Sequence, residues 1–314
     1  MRFSVIIPLY NKAPYIKKAL ESVINQSYND FELVVVDDGS TDGSCQIAEE
    51  TLKGVHVDYH LIKQHNAGVS TARNNGVKAS HGDFICFLDA DDWWAPTFLE
   101  KMNSFINDYP DAGIYGTNYY YVKNGRQRVC VTTAERGYIN YCKVYADRLA
   151  MPLTSISVAI KRDVFCAVGG FNPKLKLGED FDLWIRISLC HKVAFLNEPL
   201  AYYFQDSAPQ WRGTGRLQEP QFHMLWNLGY MEEEERNNPD YKRLIDELRT
   251  YSLLPYYLST QYREAAKKEL AKVDWSKQPK QRLMQYRRPI QLIKIQRTIL
   301  RYGSAIKQWL IKHL

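Results

Sequence analysis

"FSVIIPLY", Phe3 to Tyr10, followed by "APYIKKALESVINQ", Ala13 to Gln26, decides the fold. The first stretch is a short β-branched apolar run. The second repeats apolar side chains at Ile16, Leu20, Val23 and Ile24, one face of a helix. The pair then recurs. "FELVVVDDGS" (31–40) is a strand that runs into acids and a turn, and the helix after it is expected to take Ser40 or Thr41 as its cap. "HVDYHLI" (56–62) and "DFICFL" (83–88) are further strands, separated by the helical "VSTARNNGVKAS" (69–80). Continuous apolar strands alternating with helices are what a parallel sheet covered on both faces produces. Residues 1 to about 110 therefore read as a doubly wound α/β unit.

In such sheets ligands sit at the carboxyl ends of the strands. Those ends hold Pro8, Tyr10 and Asn11, then Asp37 and Asp38, then the segment before "NAGVSTARNNG", then Asp89, Asp91 and Asp92. Taken singly, Asp38, Ser40 and Asp92 are good turn or cap residues. Asp37 and Asp89 end apolar strands, where an unpaired carboxylate is costly. Carboxylates this close repel one another unless something positive is shared between them. Asp89 and Asp91, with Ala90 turned away between them, suit a hard cation whose other ligands are water and phosphate oxygens. That points to Mg2+ or Mn2+; zinc is disfavoured because no His or Cys cluster is present.

The remaining composition is that of a globular protein, 314 residues with 45% hydrophobic and 24% charged side chains. Six cysteines without a C-x-x-C pair, and no leader-like opening, give the expectation of a reducing, cytoplasmic setting. Charge is unevenly placed. Ten Lys or Arg and no acid lie between Trp275 and Leu314, so removing them from the overall +6 leaves −4 for the rest.

Four ordered blocks carry a resemblance: "SVIIPLYNKAPYIKKALESVINQSYNDFELVVVDDGSTD" (4–42), "NAGVSTARNNG" (66–76), "FLDADDWW" (87–94) and "GGFNPKLKLGEDFDLWIR" (169–186). The chain resembles the family 2 glycosyltransferases of the GT-A fold over about residues 1 to 205. The resemblance implies an enzyme that moves a sugar from a nucleotide-sugar donor, expected to be a UDP-sugar, to a hydroxyl of a saccharide or lipid-linked acceptor, with inversion. It implies that Asp38 contacts the base, Pro8 and Tyr10 shape the base pocket, Asp37 supports it, and Arg73 approaches the nucleotide. Asp89 and Ala90 would lie on the ribose side, with Asp89 and Asp91 as metal carboxylates. Asp180 would be the general base and Glu179 would orient the acceptor, beside a side wall formed by Gly169, Gly170 and Phe171. Asp182 and Trp184 are expected to belong to the helix carrying this motif, and Asp92 to be the N-cap of the helix in "APTFLEKMNSFI".

The resemblance also marks departures. Relatives carry an Arg and a His soon after the strand "VAFLNEPLAYYF" (193–204), where this chain reads "QDSAPQWRGTG" (205–215), leaving Gln205 or Arg212 as substitutes. The expected layout is a nucleotide-sugar-binding half (1–110), an acceptor half of the same catalytic domain (111–215), and a helical extension (216–314). In the extension "EEEER" reads as a solvated face. From Pro289 onward Leu292, Ile295, Ile299, Tyr302, Ile306 and Trp309 recur at helical spacing among basic residues, a helix suited either to packing on the domain or to peripheral contact with an anionic membrane. Nucleic acid is not expected as a partner. Two other functions compete. A sugar-nucleotide nucleotidyltransferase should open with a glycine-rich phosphate loop, which "PLYNKAPY" lacks. A non-catalytic basic module would leave Asp91 and Asp180 without purpose.

Overall fold

The computed structural model describes residues 1–130, 132–207, 217–296 and 299. The chain divides into two compact units, Met1–Tyr241 and Lys242–Leu314. The first unit opens with β1 (Phe3–Leu9), α1 (Ile16–Ile24), β2 (Phe31–Asp37), α2 (Ser44–Leu52), β3 (Asp58–Lys63), α3 (Val69–Lys78) and β4 (Phe84–Phe87). β1, β2 and β4 are buried at every residue, as strands covered on both faces must be, and their sequences are accordingly unbroken apolar runs. α1 turns Ile16, Ala19, Leu20 and Val23 inward at the spacing the sequence shows. β1 pairs in parallel with both β2 and β4, Phe3 lying opposite Phe31 and Phe84, and β3 pairs in parallel with β2. Four strand ends therefore come out on one edge, and polar residues follow each of them.

The chain continues through β5 (Trp93–Trp94), α4 (Phe98–Asp108), β6 (Ala112–Lys123), β7 (Arg126–Val129), β8 (Gly137–Ile139), α5 (Tyr141–Arg148), β9 (Val158–Lys161), α6 (Arg162–Ala167), α7 (Glu179–Cys190) and β10 (Lys192–Phe204). The sheet runs β3-β2-β1-β4-β9-β6-β10-β5, with β7 on β6 and β8 on β10. β9 is antiparallel to β4 and to β6, whereas β6 and β10 are parallel, so the sheet is mixed beyond β4. Trp94 stacks on Phe98 at 4.0 Å and donates its indole N–H to the Ile156 carbonyl at 2.6 Å, fixing the chain just after the aspartates.

Two capping expectations are corrected. α2 starts at Ser44 behind Gly43, whose φ of 88° closes the turn. Ser40 and Thr41 bind Asn11 instead: Ser40 Oγ accepts from the Asn11 amide at 3.1 Å, and the Thr41 amide donates to Asn11 Oδ1 at 2.8 Å. Asp92 does not cap α4. The chain first pairs as β5 with β10, so the helix begins six residues later at Phe98, behind Thr97. Asp92 is buried and accepts from the Phe204 amide at 2.6 Å. Burial first, then the Asp91 and Asp89 carboxylates, push its pKa well above the ordinary value.

Late in the first unit comes α8 (Glu232–Asn237), with four glutamates in its first turn and no buried residue, as a solvated face requires. α9 (Pro239–Ser252) carries the boundary between the units. The second unit adds α10 (Leu254–Leu258), α11 (Arg263–Leu270) and α12 (Lys280–Arg287). Its buried Arg249 lies 3.7 Å from Asp246 and 3.5 Å from Glu269. Residues 290–296 are helical; Ile293 packs on Leu254 and Leu258, while Leu292 and Ile295 are 55% and 56% exposed. Leu292 and Ile295 of the apolar repeat are thus exposed over this part. Tyr302, Ile306 and Trp309 lie outside the described residues. No helix among the described residues is long and apolar enough to cross a membrane.

Asp92→Ala leaves the half-buried Phe204 amide without its acceptor and is expected to cost about 1–3 kcal/mol in urea denaturation. Asp92→Asn, which keeps an acceptor and removes a disfavoured charge, should stay within about 1 kcal/mol of wild type.

Candidate active site

The strand ends are held together by carboxylates. Asp38 Oδ1 accepts from the Gln64 side-chain amide and from the Ala67 backbone, both at 2.7 Å, and Oδ2 accepts from the Gly68 amide at 2.9 Å. Gln64 takes a further bond from Asn75 at 2.8 Å, so the end of β2, the loop after β3 and the face of α3 form one network. Asp37 Oδ1 accepts from the Ser40 amide at 3.1 Å, and its carbonyl accepts from the Gln64 amide at 2.9 Å. Pro8 is buried within β1, and Tyr10 beside it is 41% exposed.

Opposite these lies the aspartate cluster, whose repulsion is offset in part by cations of the chain itself. Lys12 Nζ sits 2.5 Å from Asp91 Oδ2. Arg73, 3% exposed on α3, donates through Nη2 to Asp89 Oδ1 at 2.7 Å and through Nη1 to Glu179 Oε1 at 3.3 Å. Its guanidinium also lies 5.0 Å from the centre of the Phe171 ring. Burial works against the Arg73 charge, but Asp89 and then Glu179 outweigh it and hold its pKa above the ordinary value. Asp89 Oδ2 accepts from Ser155 Oγ at 3.2 Å, and Ala90 is buried in the core.

The late motif is brought in by the same helix. Asn74 donates to the Phe171 carbonyl at 2.8 Å and accepts from the Phe171 amide at 3.0 Å, clamping the Gly169-Gly170-Phe171 turn. Gly170 has φ +68°, and a Cβ there would stand 2.9 Å from Asn74 Oδ1, so the clamp requires glycine. α7 then starts behind Gly178 at φ +83°, with Glu179, Asp180 and Asp182 in its first turn. Asp182 is bound by Arg186 at 2.7 Å and by the Tyr230 hydroxyl, and Trp184 is buried, so both belong to the helix as the sequence implies. Among the described residues no Lys or Arg forms an ion pair with Asp180. Burial, then the neighbouring Glu179 charge, push its carboxyl up to about 7, against the pull of Arg73 and of the Phe181 amide. Tyr203 of β10 feels the same acids: burial and then Asp92, Asp89, Asp180 and Asp91 raise its phenol.

Lys12, Gln64, Asn74 and Ser155 were not singled out by the sequence reading. Lys12 stands two residues beyond Tyr10, just past the end of β1, and that position is the signal the sequence offers. Gln205 continues the sheet, its amide donating to the Val122 carbonyl at 2.8 Å, and Arg212 lies outside the described residues. Among the described residues there is no group of three or more His, Cys, Asp or Glu suited to a metal ion. A divalent cation here would rest on Asp91, aided by water and by oxygens of a bound diphosphate, a ligand set that hard cations accept.

The sequence profile of Glycosyl transferase family 2 matches residues 4–168. Glycosyltransferase GlyA of Streptococcus pneumoniae is 41% identical over 119 residues, 38% of this chain and only 17% of GlyA, so the likeness covers a small part of that longer protein. Among solved structures, Staphylococcus aureus TarS 1-349 in complex with UDP-GlcNAc superposes with a TM-score of 0.70 at 20% identity, over 86% of this chain and 78% of that one. A Pyrobaculum calidifontis mannosyltransferase in complex with GDP-Man and Mn2+ gives a TM-score of 0.59 at 19% identity, over 99% and 85% of the two chains.

Removing the Arg73 charge should raise the Asp180 pKa, because Arg73 lowers it. In Arg73→Met the carboxyl resonance of Asp180, followed by carbon NMR, should titrate above its wild-type midpoint. Asp180 titrating at an unchanged pH would show that the two are not coupled.

Proposed function

Because the chain belongs to glycosyl transferase family 2, we propose that it is an inverting glycosyltransferase that moves a sugar from a nucleoside diphosphate sugar to an acceptor hydroxyl. The observation that carries this reading is the double hydrogen bond of Arg73 to Asp89 and Glu179. It fixes the aspartate motif beside an acid pair 90 residues later in the chain, one member of which, Asp180, has its carboxyl raised to about 7. A nucleotide site and a base poised near neutrality are the two parts that direct displacement needs.

In this reading Asp180 takes the proton of the acceptor hydroxyl as that oxygen attacks the anomeric carbon. Glu179, held by Arg73, is fixed for orienting the acceptor, and the Gly169–Phe171 turn walls its side. One base on the face opposite the leaving group gives inversion. A Mn2+ or Mg2+ ion, when bound, supplies neutralisation of the charge that grows on the leaving diphosphate. Asp91 and, through its place beside it, Asp89 are the carboxylates assigned to that ion. Pro8 and Tyr10 border the base pocket, Asp37 supports it, and Arg73 and Ala90 complete the donor side. Asp38 spends three acceptor directions on Gln64, Ala67 and Gly68 and has about one left for a base N–H. A UDP-sugar is the donor assigned, a reading supported by the UDP-GlcNAc bound to TarS; the GDP-Man complex makes guanine the alternative to test.

Asp180→Asn is expected to lower the transfer rate ~10²- to 10⁴-fold while leaving UDP affinity near wild type. Because Asp180 acts as its carboxylate, kcat/KM should fall about tenfold per unit as pH drops below about 7 and level off above it. Coupled detection of UDP release gives both; a flat profile from pH 5 to 8 removes Asp180 as the base.

The exposed Leu292, Ile295 and Ile299 sit in the basic end of the chain, which favours peripheral contact with an anionic lipid surface where a lipid-linked acceptor would lie. The protein should float with anionic vesicles at low salt and be released at high salt, while Leu292→Asp with Ile295→Asp should not float. Equal flotation of that variant excludes the contact.

A further inference from the structure

We propose that Lys12 is a tethered cation that competes with the divalent metal for Asp91 and so sets how tightly the site takes that metal. This rests on the reading of Asp91 as the metal carboxylate. Three observations carry it. The Lys12 ammonium lies 2.5 Å from Asp91 Oδ2, with the two side chains only 14% and 15% exposed, so it holds an oxygen that an incoming ion must share or take. The pair is therefore screened less by solvent and salt than a fully exposed one.

The backbone of Lys12 is fixed, while its side chain is a long stem of several rotatable bonds. Its amide donates to Ser44 Oγ at 2.7 Å, and its carbonyl accepts from the Tyr15 and Ile16 amides at 2.9 and 3.0 Å. Asn11 before it is locked at φ 50° by the bonds to Ser40 and Thr41. Displacement of Lys12 from Asp91 thus needs only rotamer changes, with no rearrangement of the strand end.

The local charge count gives the metal its opening. Asp89, Asp91, Asp92, Glu179 and Asp180 face only Lys12 and Arg73 in the contacts described, and Arg73 is shared between Asp89 and Glu179. A monovalent ammonium leaves this cluster short of positive charge, and a divalent ion on Asp91 makes good more of the deficit. Alone, that ion must displace Lys12 for one carboxylate. With a diphosphate present it gains further oxygen ligands, so donor and metal are expected to load together.

The test is Mn2+ binding to the full chain, read from the electron spin resonance signal of free Mn2+, without and with UDP. Lys12→Met should bind Mn2+ about five- to tenfold more tightly than wild type in both conditions. Lys12→Arg, which keeps the charge, should stay close to wild type. Asp91→Asn should abolish the binding. Thermal melts of each variant establish that it is folded, and Lys12→Gln substitutes should Lys12→Met not fold. If Lys12→Met binds Mn2+ no more tightly than wild type while Asp91→Asn still abolishes binding, Lys12 does not compete and the proposal falls alone. If Asp91→Asn binds Mn2+ as tightly as wild type, the metal assignment falls and the proposal with it.

Discussion

The buried guanidinium of Arg73 is the interaction on which the site depends. Two carboxylates from opposite ends of the catalytic unit, Asp89 and Glu179, meet only because a cation stands between them. A buried ion pair is weak evidence for stability, since desolvation consumes much of the attraction. Its value here is positional. The alternative to the pair is an uncompensated charge in a nearly water-free place, so the geometry has few ways to relax. Asn74, the next residue on α3, adds a bidentate clamp on Phe171, and one turn of helix thereby registers the late part of the chain against the early part.

The same helix explains why Asp180 differs from its neighbours. Arg73 and Lys12 serve Asp89, Glu179 and Asp91, and Asp180 is left to burial and to the repulsion of Glu179. Acid and base chemistry at neutral pH commonly arises from such uneven sharing among adjacent carboxyls. Asp38 shows the opposite use of a carboxylate. It accepts three backbone and amide donors, which makes it a fastener for the loop as well as a candidate reader of a base.

Much of this was legible in the sequence because strand burial writes itself as apolar runs and the parallel alternation leaves its polar residues at one edge. The strands through Phe87 and the α1 face follow from local pattern, and the helical status of Asp182 and Trp184 from the resemblance that their motif carries. What was not legible depends on contacts distant in sequence. The Trp93–Trp94 strand pairs with β10 more than 100 residues away, which is why Asp92 looks like a cap and serves Phe204. Lys12 and Ser155 are unremarkable residue types whose roles appear only when their neighbours converge. The capping of α2 failed for a related reason: Asn11 competes for Ser40 and Thr41, and a local propensity yields to a partner 29 residues upstream.

β9 has a consequence for how this protein can be divided. A segment from beyond residue 150 inserts between β4 and β6 and runs against both. The parallel half, although it looks self-sufficient, ends on a flat, apolar β4 whose outer hydrogen-bonding edge is covered only by chain that is made later. During synthesis that edge stays open until β9 emerges, and an open edge of this kind is a template for pairing with other chains. The early half is thus a platform that needs its own late sequence as a seal. Recombination between relatives that exchanged the two halves would have to carry β4 and β9 together.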